Sequence, residues 1–303
     1  MTNGAAYDVI VIGSGMTGLT ASRSLLRNGL SVANIEGGVF GGLITNVNDL
    51  EGEYTGSGAD LASTLMLEVG EMGCAMVSES VTEVRRDGPD ILVATDAGQH
   101  RARAVVVASG ARLRQLGVPG EAQFEYKGVS QCADCDGPMF RGQDVVVVGG
   151  GDSALQEALV LSGCCANVCV VHHRPELTAH LRWQQALRAC SNVTVVPMTE
   201  VVAIEGKSVV TTIRLRSLAD GSASTRTCSG VFVYVGVDPA ANFLPEHVAR
   251  DASGAVVTSD GLETSLENVF AAGAVRAGYQ GTLGDAVRDA ETAATAVLQR
   301  LRD

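Results

Sequence analysis

A strand–turn–helix unit with glycines at its turn occurs twice in this chain, and that duplication restricts the fold more than any other feature. The first copy passes from the β-branched run 7–12 through Gly13-Ser14-Gly15-Met16-Thr17-Gly18 into a helix ending near Asn28 and Gly29. The second passes from Asp144–Val148 through Gly149-Gly150-Gly151-Asp152-Ser153-Ala154 into a helix ending near Gly163. In such a turn the first glycine permits a tight bend and the second lets backbone approach a pyrophosphate. The third allows close packing of helix on strand, and the pyrophosphate rests on the positive end of the helix. The two copies lie too far apart for a solenoid repeat of about 20–50 residues. They read as two Rossmann-like nucleotide-binding domains in an α/β fold.

Beyond the turns the two copies diverge. Glu36 ends the next strand, 31–35, where an acid binds ribose hydroxyls, so Gly13 to Gly18 and Glu36 form a dinucleotide site. The second turn has Ala154 in the third position, a tolerated variant, and no acid ends its next strand, Asn167–Val171. His172, His173 and Arg174 stand there instead. A carboxylate at that place favours NAD and an arginine accommodates the extra phosphate of NADP; a solvated loop is the alternative for the histidine pair. Breaker-rich crossings at 116–120 and 236–239 place the second domain inside the first. The expected boundaries are 1–114 with 240–303 for the outer domain and 115–239 for the insert.

Composition removes several classes. Apolar residues make up 46% and charged residues 18%, the opposite of a solvated, disordered chain. A net charge of −12 repels phosphate backbones and anionic lipid, so no nucleic acid and no membrane is expected as a partner. The longest apolar runs, such as 104–108, are far below the roughly 18 residues of a membrane helix. A strand begins almost at the N-terminus with no basic or cleavable apolar stretch ahead of it, so the expectation is a soluble, cytoplasmic protein.

Eight cysteines are too sparse for a disulfide scaffold. In a reducing compartment the close pair in Cys132-Ala133-Asp134-Cys135-Asp136-Gly137 points to redox or metal chemistry. Cysteines at this spacing can close a small disulfide ring, and a local field sets their reactivity. Zinc needs four ligands, and no second CxxC or paired His–Cys set stands at ligand spacing, although Cys164, Cys165 and Cys169 are near in sequence. No metal is expected. Cys74, Cys190 and Cys228 read as buried or incidental thiols. Asp136 is a candidate to exchange protons with a leaving thiolate; a turn residue before Gly137 is its other reading.

With these residues in view, the chain resembles the low-molecular-weight thioredoxin reductases, flavin members of the pyridine nucleotide–disulfide oxidoreductases. The segment 127–137 carries the most specific part of the likeness. Supporting stretches are Gly13 to Gly18, Glu36, Gly41-Gly42, Gly149 to Ala154, Gly230–Val233 and 269–273. The resemblance implies FAD on the outer domain and NADPH or NADH on the insert. It implies flavin contacts from Gly41, Gly42, Leu43, Ala111, Gly273, Ala274, Gln280 and Gly281, besides the first turn and Glu36. Nucleotide contacts fall to Gly149, Gly151, Asp152, Ser153, Ala154, His173 and Arg174. It further implies a redox-active disulfide, with Cys135 facing the flavin and Cys132 exchanging with substrate, a homodimer, and rotation of the inserted domain between half-reactions. Electrons then pass from nicotinamide to flavin to disulfide to a thioredoxin-like protein or a small disulfide substrate.

Several positions depart from the family pattern. Ala274 replaces an aspartate that meets the FAD ribityl chain. Tyr279 replaces the arginine before Gln280, and the small glycine-rich helix start after it becomes Asp285-Ala286-Val287-Arg288-Asp289. A turn near the flavin reads Gly52-Glu53-Tyr54-Thr55-Gly56. The phosphate loop holds His173, Arg174 and Thr178 in place of three arginines, so weak use of pyridine nucleotide is expected, with at most a modest NADPH preference that grows as His173 gains charge. A dithiol oxidase acting on a small natural product with oxygen as acceptor is the alternative function. Reduction by ferredoxin, or a flavin-binding module without turnover, are the others.

Overall fold

Valine and isoleucine crowd the first strands because a parallel strand covered on both faces has no solvent side to alternate with. In β1 (Ala6–Ile12), Val9, Ile10 and Val11 have no exposed surface. Val9 and Val11 pack toward Leu19 and Leu25 of α1 (Met16–Arg27), and Ile10 and Ile12 join a separate core on the other face. Each such fully buried side chain contributes about 1.5–3 kcal/mol. The computed structural model describes residues 6–47, 50 and 54–302, so Gly52 and Glu53 lie outside the described residues. Contacts divide the chain into two units, Met1–Arg112 with Asp238–Asp303, and Leu113–Val237.

After α1 come β2 (Val32–Ile35), α2 (Gly58–Glu71) and β3 (Ala75–Val77), then the antiparallel pair β4 (Val81–Asp87) and β5 (Asp90–Thr95). Strand β2 starts one residue later than the sequence suggests, because Ser31 donates its N–H and hydroxyl to Asp8. β6 (Gln99–Val107) returns beside β1 in parallel register, Val9 opposite Ala104 and Ile12 opposite Val107. β7 (Ala111–Leu113) begins the crossing.

The inserted unit runs β8 (Val129–Ser130), α3 (Ala133–Asp136), β9 (Asp144–Val148), α4 (Asp152–Ser162), β10 (Asn167–Val171), α5 (Leu181–Arg188) and β11 (Val193–Val196). An antiparallel sheet of β12 (Thr199–Gly206), β13 (Val210–Ser217) and β14 (Ala223–Thr227) comes next, then β15 (Gly230–Val233) and the return crossing β16 (Val237–Pro239). β17 (Val269–Ala271) and α6 (Leu283–Arg302) belong to the first unit. Ala286, Ala290, Ala293 and Ala294 of α6 pack in the same core as α1, their small side chains allowing close helix approach.

The first sheet has the order β3-β2-β1-β6-β5-β4, with β17 also on β6; the second is parallel throughout, β11-β10-β9-β15-β8. Both are Rossmann-like. In each, the strand order reverses beside the strand that carries a glycine turn, and ligands of such sheets bind beyond the strand ends at that switch point. Among the described residues no helix is long and apolar enough to cross a membrane.

Candidate active site

The first turn needs glycine for packing. Gly13 has φ +106°, and a Cβ there would lie 2.4 Å from the Ala108 carbonyl oxygen. A Cβ on Gly18 would stand 1.9 Å from the Gly13 oxygen, so helix and turn touch only because both lack side chains. Gly15 differs: its nearest neighbour to an added Cβ is Gly41 O at 3.7 Å, which leaves backbone open to a ligand. Glu36 Oε2 accepts the Ser14 N–H at 2.8 Å and its Oε1 the Gly38 N–H at 2.8 Å. The Gly41 N–H donates to Ser14 O at 2.9 Å, and Gly41 bridges Gly15. Residues 13–18, Glu36, Gly41 and Gly42 are thus one cradle, with Leu43 exposed beside it.

Asn34, which the sequence reading missed, locks this cradle from below. It is fully buried, donates to Gly13 O and Ser22 Oγ, and accepts the Ser14 hydroxyl. Gly273 reaches the same place: a Cβ on it would meet Thr17 Oγ1 at 2.5 Å. Ala274 comes next in the chain with no carboxylate to offer. A different acid, Asp289 of α6, accepts the Gly273 N–H at 2.8 Å and pairs with two nitrogens of the Arg276 guanidinium, each at 2.6 Å. That hydrogen-bonded pair raises the Arg276 pKa. Gln280 and Gly281 are exposed, Gln280 donating to Gly278 O, and Ala111 lies in the crossing. An open Gly15, a helix N-terminus and a held ribose acid fit a dinucleotide such as FAD.

The second turn opens on a cavity of about 220 Å³, lined by Gly149, Gly150, Gly151, Ser153 and Ala154 from the turn. His172, His173, Arg174 and Glu176 line it after β10, and Tyr234 after β15. Gly149 (φ +140°) would place a Cβ 2.2 Å from Tyr234 O. His172 is buried, its Nδ1 without a hydrogen-bond partner, and burial pushes its pKa down with help from the charge of His173. An orphaned ring nitrogen beside a bare glycine turn fits a nucleotide. Two expected contacts are otherwise engaged. Asp152 accepts the His180 N–H at 2.7 Å and pairs with its imidazole, and the Thr178 hydroxyl donates to Gly150 O at 3.2 Å. Glu176 went unnoticed in the sequence; it lines the same cavity as Arg174 and brings a residue of opposite charge to it.

Cys132 and Cys135 form a disulfide, Cα atoms 5.3 Å apart, at the start of α3. The Cys135 N–H points at Cys132 Sγ at 3.2 Å, a donor that favours a thiolate there. Ser130 Oγ accepts the Cys132 N–H, and the Asp136 N–H donates to Cys132 O. Cys135 is exposed and Cys132 half-buried. Burial raises the thiols of Cys74 to about 11 and of Cys165 and Cys228 to about 12, which leaves them inert. Cys190 is half-buried, not buried, and takes the Ser162 hydroxyl at 3.5 Å. Glu157 of α4 was also missed. It accepts the Ala133 N–H at 2.8 Å and the Tyr234 hydroxyl at 3.1 Å. A carboxylate in the apolar series Ala154, Ala158, Leu161 was the available signal.

Comparison with known proteins agrees with this geometry. Residues 7–299 match the family model described as pyridine nucleotide-disulphide oxidoreductase. Thioredoxin reductase of Mycolicibacterium smegmatis is 39% identical over 278 residues, covering 90% of this chain and 89% of its own. That of Treponema pallidum (strain Nichols) is 35% identical over 276 residues, covering 89% of each. Among solved structures, Lactococcus lactis thioredoxin reductase in its FR conformation superposes with a TM-score of 0.93 at 30% identity, covering 97% of this chain and 98% of that one. The T. acidophilum enzyme gives 0.92 at 28% identity, covering 98% and 99%. This chain belongs to the pyridine nucleotide-disulphide oxidoreductase family and is a flavin-dependent disulfide oxidoreductase of the thioredoxin-reductase type.

Proposed function

We propose that the chain moves electrons from NADPH or NADH to the disulfide of a thioredoxin-like protein, with Cys132 and Cys135 as the exchanging pair. FAD would be held by Gly13 to Gly18, Glu36, Gly41, Gly42 and Gly273 in residues 1–114 and 240–303, and would supply two-electron chemistry between nicotinamide and disulfide. The nucleotide would be held by Gly149, Gly151, Ser153, Ala154, His173 and Arg174 in residues 115–239. Once the pair is a dithiol, the Cys132 thiolate attacks one sulfur of the partner's disulfide. A mixed disulfide forms and the partner's other sulfur leaves as a thiolate, to which Asp136 relays the proton given up by the Cys132 thiol. Cys135 then attacks Cys132 Sγ, breaking the mixed disulfide and restoring the internal one, while the Cys135 thiol proton passes to the partner's second sulfur and the partner leaves as a dithiol. Two electrons and two protons pass to the partner.

The observation that carries this reading is the Cys135 N–H directed at Cys132 Sγ, which makes Cys132 the better resting thiolate. Trapping tests it. Cys135→Ser holoenzyme is expected to accumulate a mixed disulfide with thioredoxin through Cys132, and Cys132→Ser to accumulate none; a trap through Cys135 alone reverses the roles. Six free thiols support a reducing, cytoplasmic compartment. A homodimer is expected, which light scattering checks.

Glu176 favours a second reading. A carboxylate in the phosphate region of the pocket weakens the case for NADPH, as a dithiol oxidase using oxygen would tolerate. Oxygen uptake driven by a small dithiol, with no nucleotide oxidation, is the outcome that selects it.

A further inference from the structure

Glu157 occupies a costly position. It stands on the face of α4 that buries Ala154, Ala158 and Leu161, and burial raises its pKa. Two donors meet it: the Ala133 N–H, in the residue after Cys132, and the Tyr234 hydroxyl. A glutamine could accept both hydrogen bonds through its carbonyl oxygen, so holding α3 in place does not by itself require the charge of Glu157. Tyr234 follows the strand β15 and lines the nucleotide cavity. One side chain therefore touches the cavity and the residue that anchors the disulfide helix.

We propose that Glu157 is a positioning residue for Cys132, fixing the first turn of α3 through the Ala133 N–H while its negative charge opposes the Cys132 thiolate, with Tyr234 holding that charge in place from the nucleotide side. The inference rests on the exchange reading above. Other groups face this pair: Asp134 on α3 acts on Glu157 with like charge, Asp136 lies on the same turn, Ser130 on β8 bonds Cys132, and Tyr234 approaches from β15. The Cys135 N–H also points at Cys132 Sγ and favours the thiolate, whereas the carboxylates disfavour it. A less stable thiolate makes the dithiol form less stable relative to the disulfide, so Glu157 keeps the pair a stronger reductant. That suits donation to a partner. The Tyr234 hydroxyl favours the ionised carboxylate, so its loss moves Glu157 toward the neutral form.

The test uses holoprotein carrying Cys135→Ser, which frees Cys132. The rate of Cys132 alkylation by iodoacetamide, followed by peptide mass between pH 5 and 10, reports its titration. Glu157→Gln keeps the acceptor and removes the charge. It is expected to lower the Cys132 midpoint by about one pH unit, giving about tenfold more thiolate at a fixed pH below it. Tyr234→Phe is expected to shift it the same way by less. With both cysteines intact, equilibration against dithiothreitol at a pH above the Cys132 midpoint is expected to show the Glu157→Gln pair reduced about tenfold more readily. An unchanged midpoint in Glu157→Gln, or in Tyr234→Phe should the first variant not fold, overturns the proposal. Failure of the Cys135→Ser parent to trap any partner disulfide removes the exchange reading instead, and the two failures are separately visible.

Discussion

The two glycine turns begin alike and end differently. Around the first, the supporting groups are committed and only Gly15 stays open: Asn34 fills the space below, Glu36 holds the Ser14 and Gly38 N–H groups, and Gly41 closes onto Ser14. Around the second, His172 leaves a buried nitrogen unmatched, Asp152 turns to His180, and Arg174 shares the cavity with Glu176. The same backbone device thus yields a preformed cradle in one unit and a permissive pocket in the other. The handful of residues after the next strand decides between them, not the glycines.

The largest expected effect separates the two turns directly. Gly15→Leu should give colourless protein, since a side chain there blocks the one open stretch of turn backbone, whereas Gly151→Leu should stay yellow and lose nucleotide binding by tenfold or more. Equal loss of flavin from both variants, read from the visible spectrum, would break the distinction. Next comes Asp289→Ala. It strands the half-buried Arg276 and the Gly273 N–H, costing about 3–5 kcal/mol in denaturant unfolding. The exposed Asp152–His180 pair, removed by Asp152→Ala, should cost about 0–1 kcal/mol.

A smaller effect concerns nucleotide choice. Glu176→Arg replaces a repulsive charge with a phosphate ligand, and each charge-assisted bond is worth about 1.5–3 kcal/mol. The NADPH-to-NADH ratio of kcat/KM should rise tenfold or more, while flavin content stays the same. The smallest effect is on pH. Burial lowers the His172 pKa in the folded state, so the unfolded chain takes its proton first, near pH 6.5. Stability contributed by neutral His172 is present above that value and declines as pH falls toward the folded pKa. His172→Asn should flatten this limb of the stability profile.

Much of this architecture was legible in residue order. Paired turns, β-branched strands and the acid Glu36 announce a doubly built α/β chain, because glycine and period carry backbone information locally. Cys132 and Cys135 were legible for the same reason: their spacing is a local property. The hidden part came from residues that meet only in three dimensions. Asn34 looks like one polar residue in a strand, and Asp289 and Arg276 are 13 residues apart on different elements. Glu157 and Tyr234 lie 77 positions apart. Ala274 read as a plain loss, although Asp289 supplies a carboxylate to the neighbouring N–H; it satisfies the protein's own backbone.

The central claim is that nicotinamide electrons reach Cys132 and Cys135. Anaerobic addition of NADPH, and separately NADH, to air-oxidised holoprotein, with mass-tagged thiol counting afterwards, tests it most directly. Nucleotide oxidation accompanied by two new thiols per chain, at Cys132 and Cys135, with the other six unchanged, is the expected result. Intact disulfide and unoxidised nucleotide with both donors would contradict it.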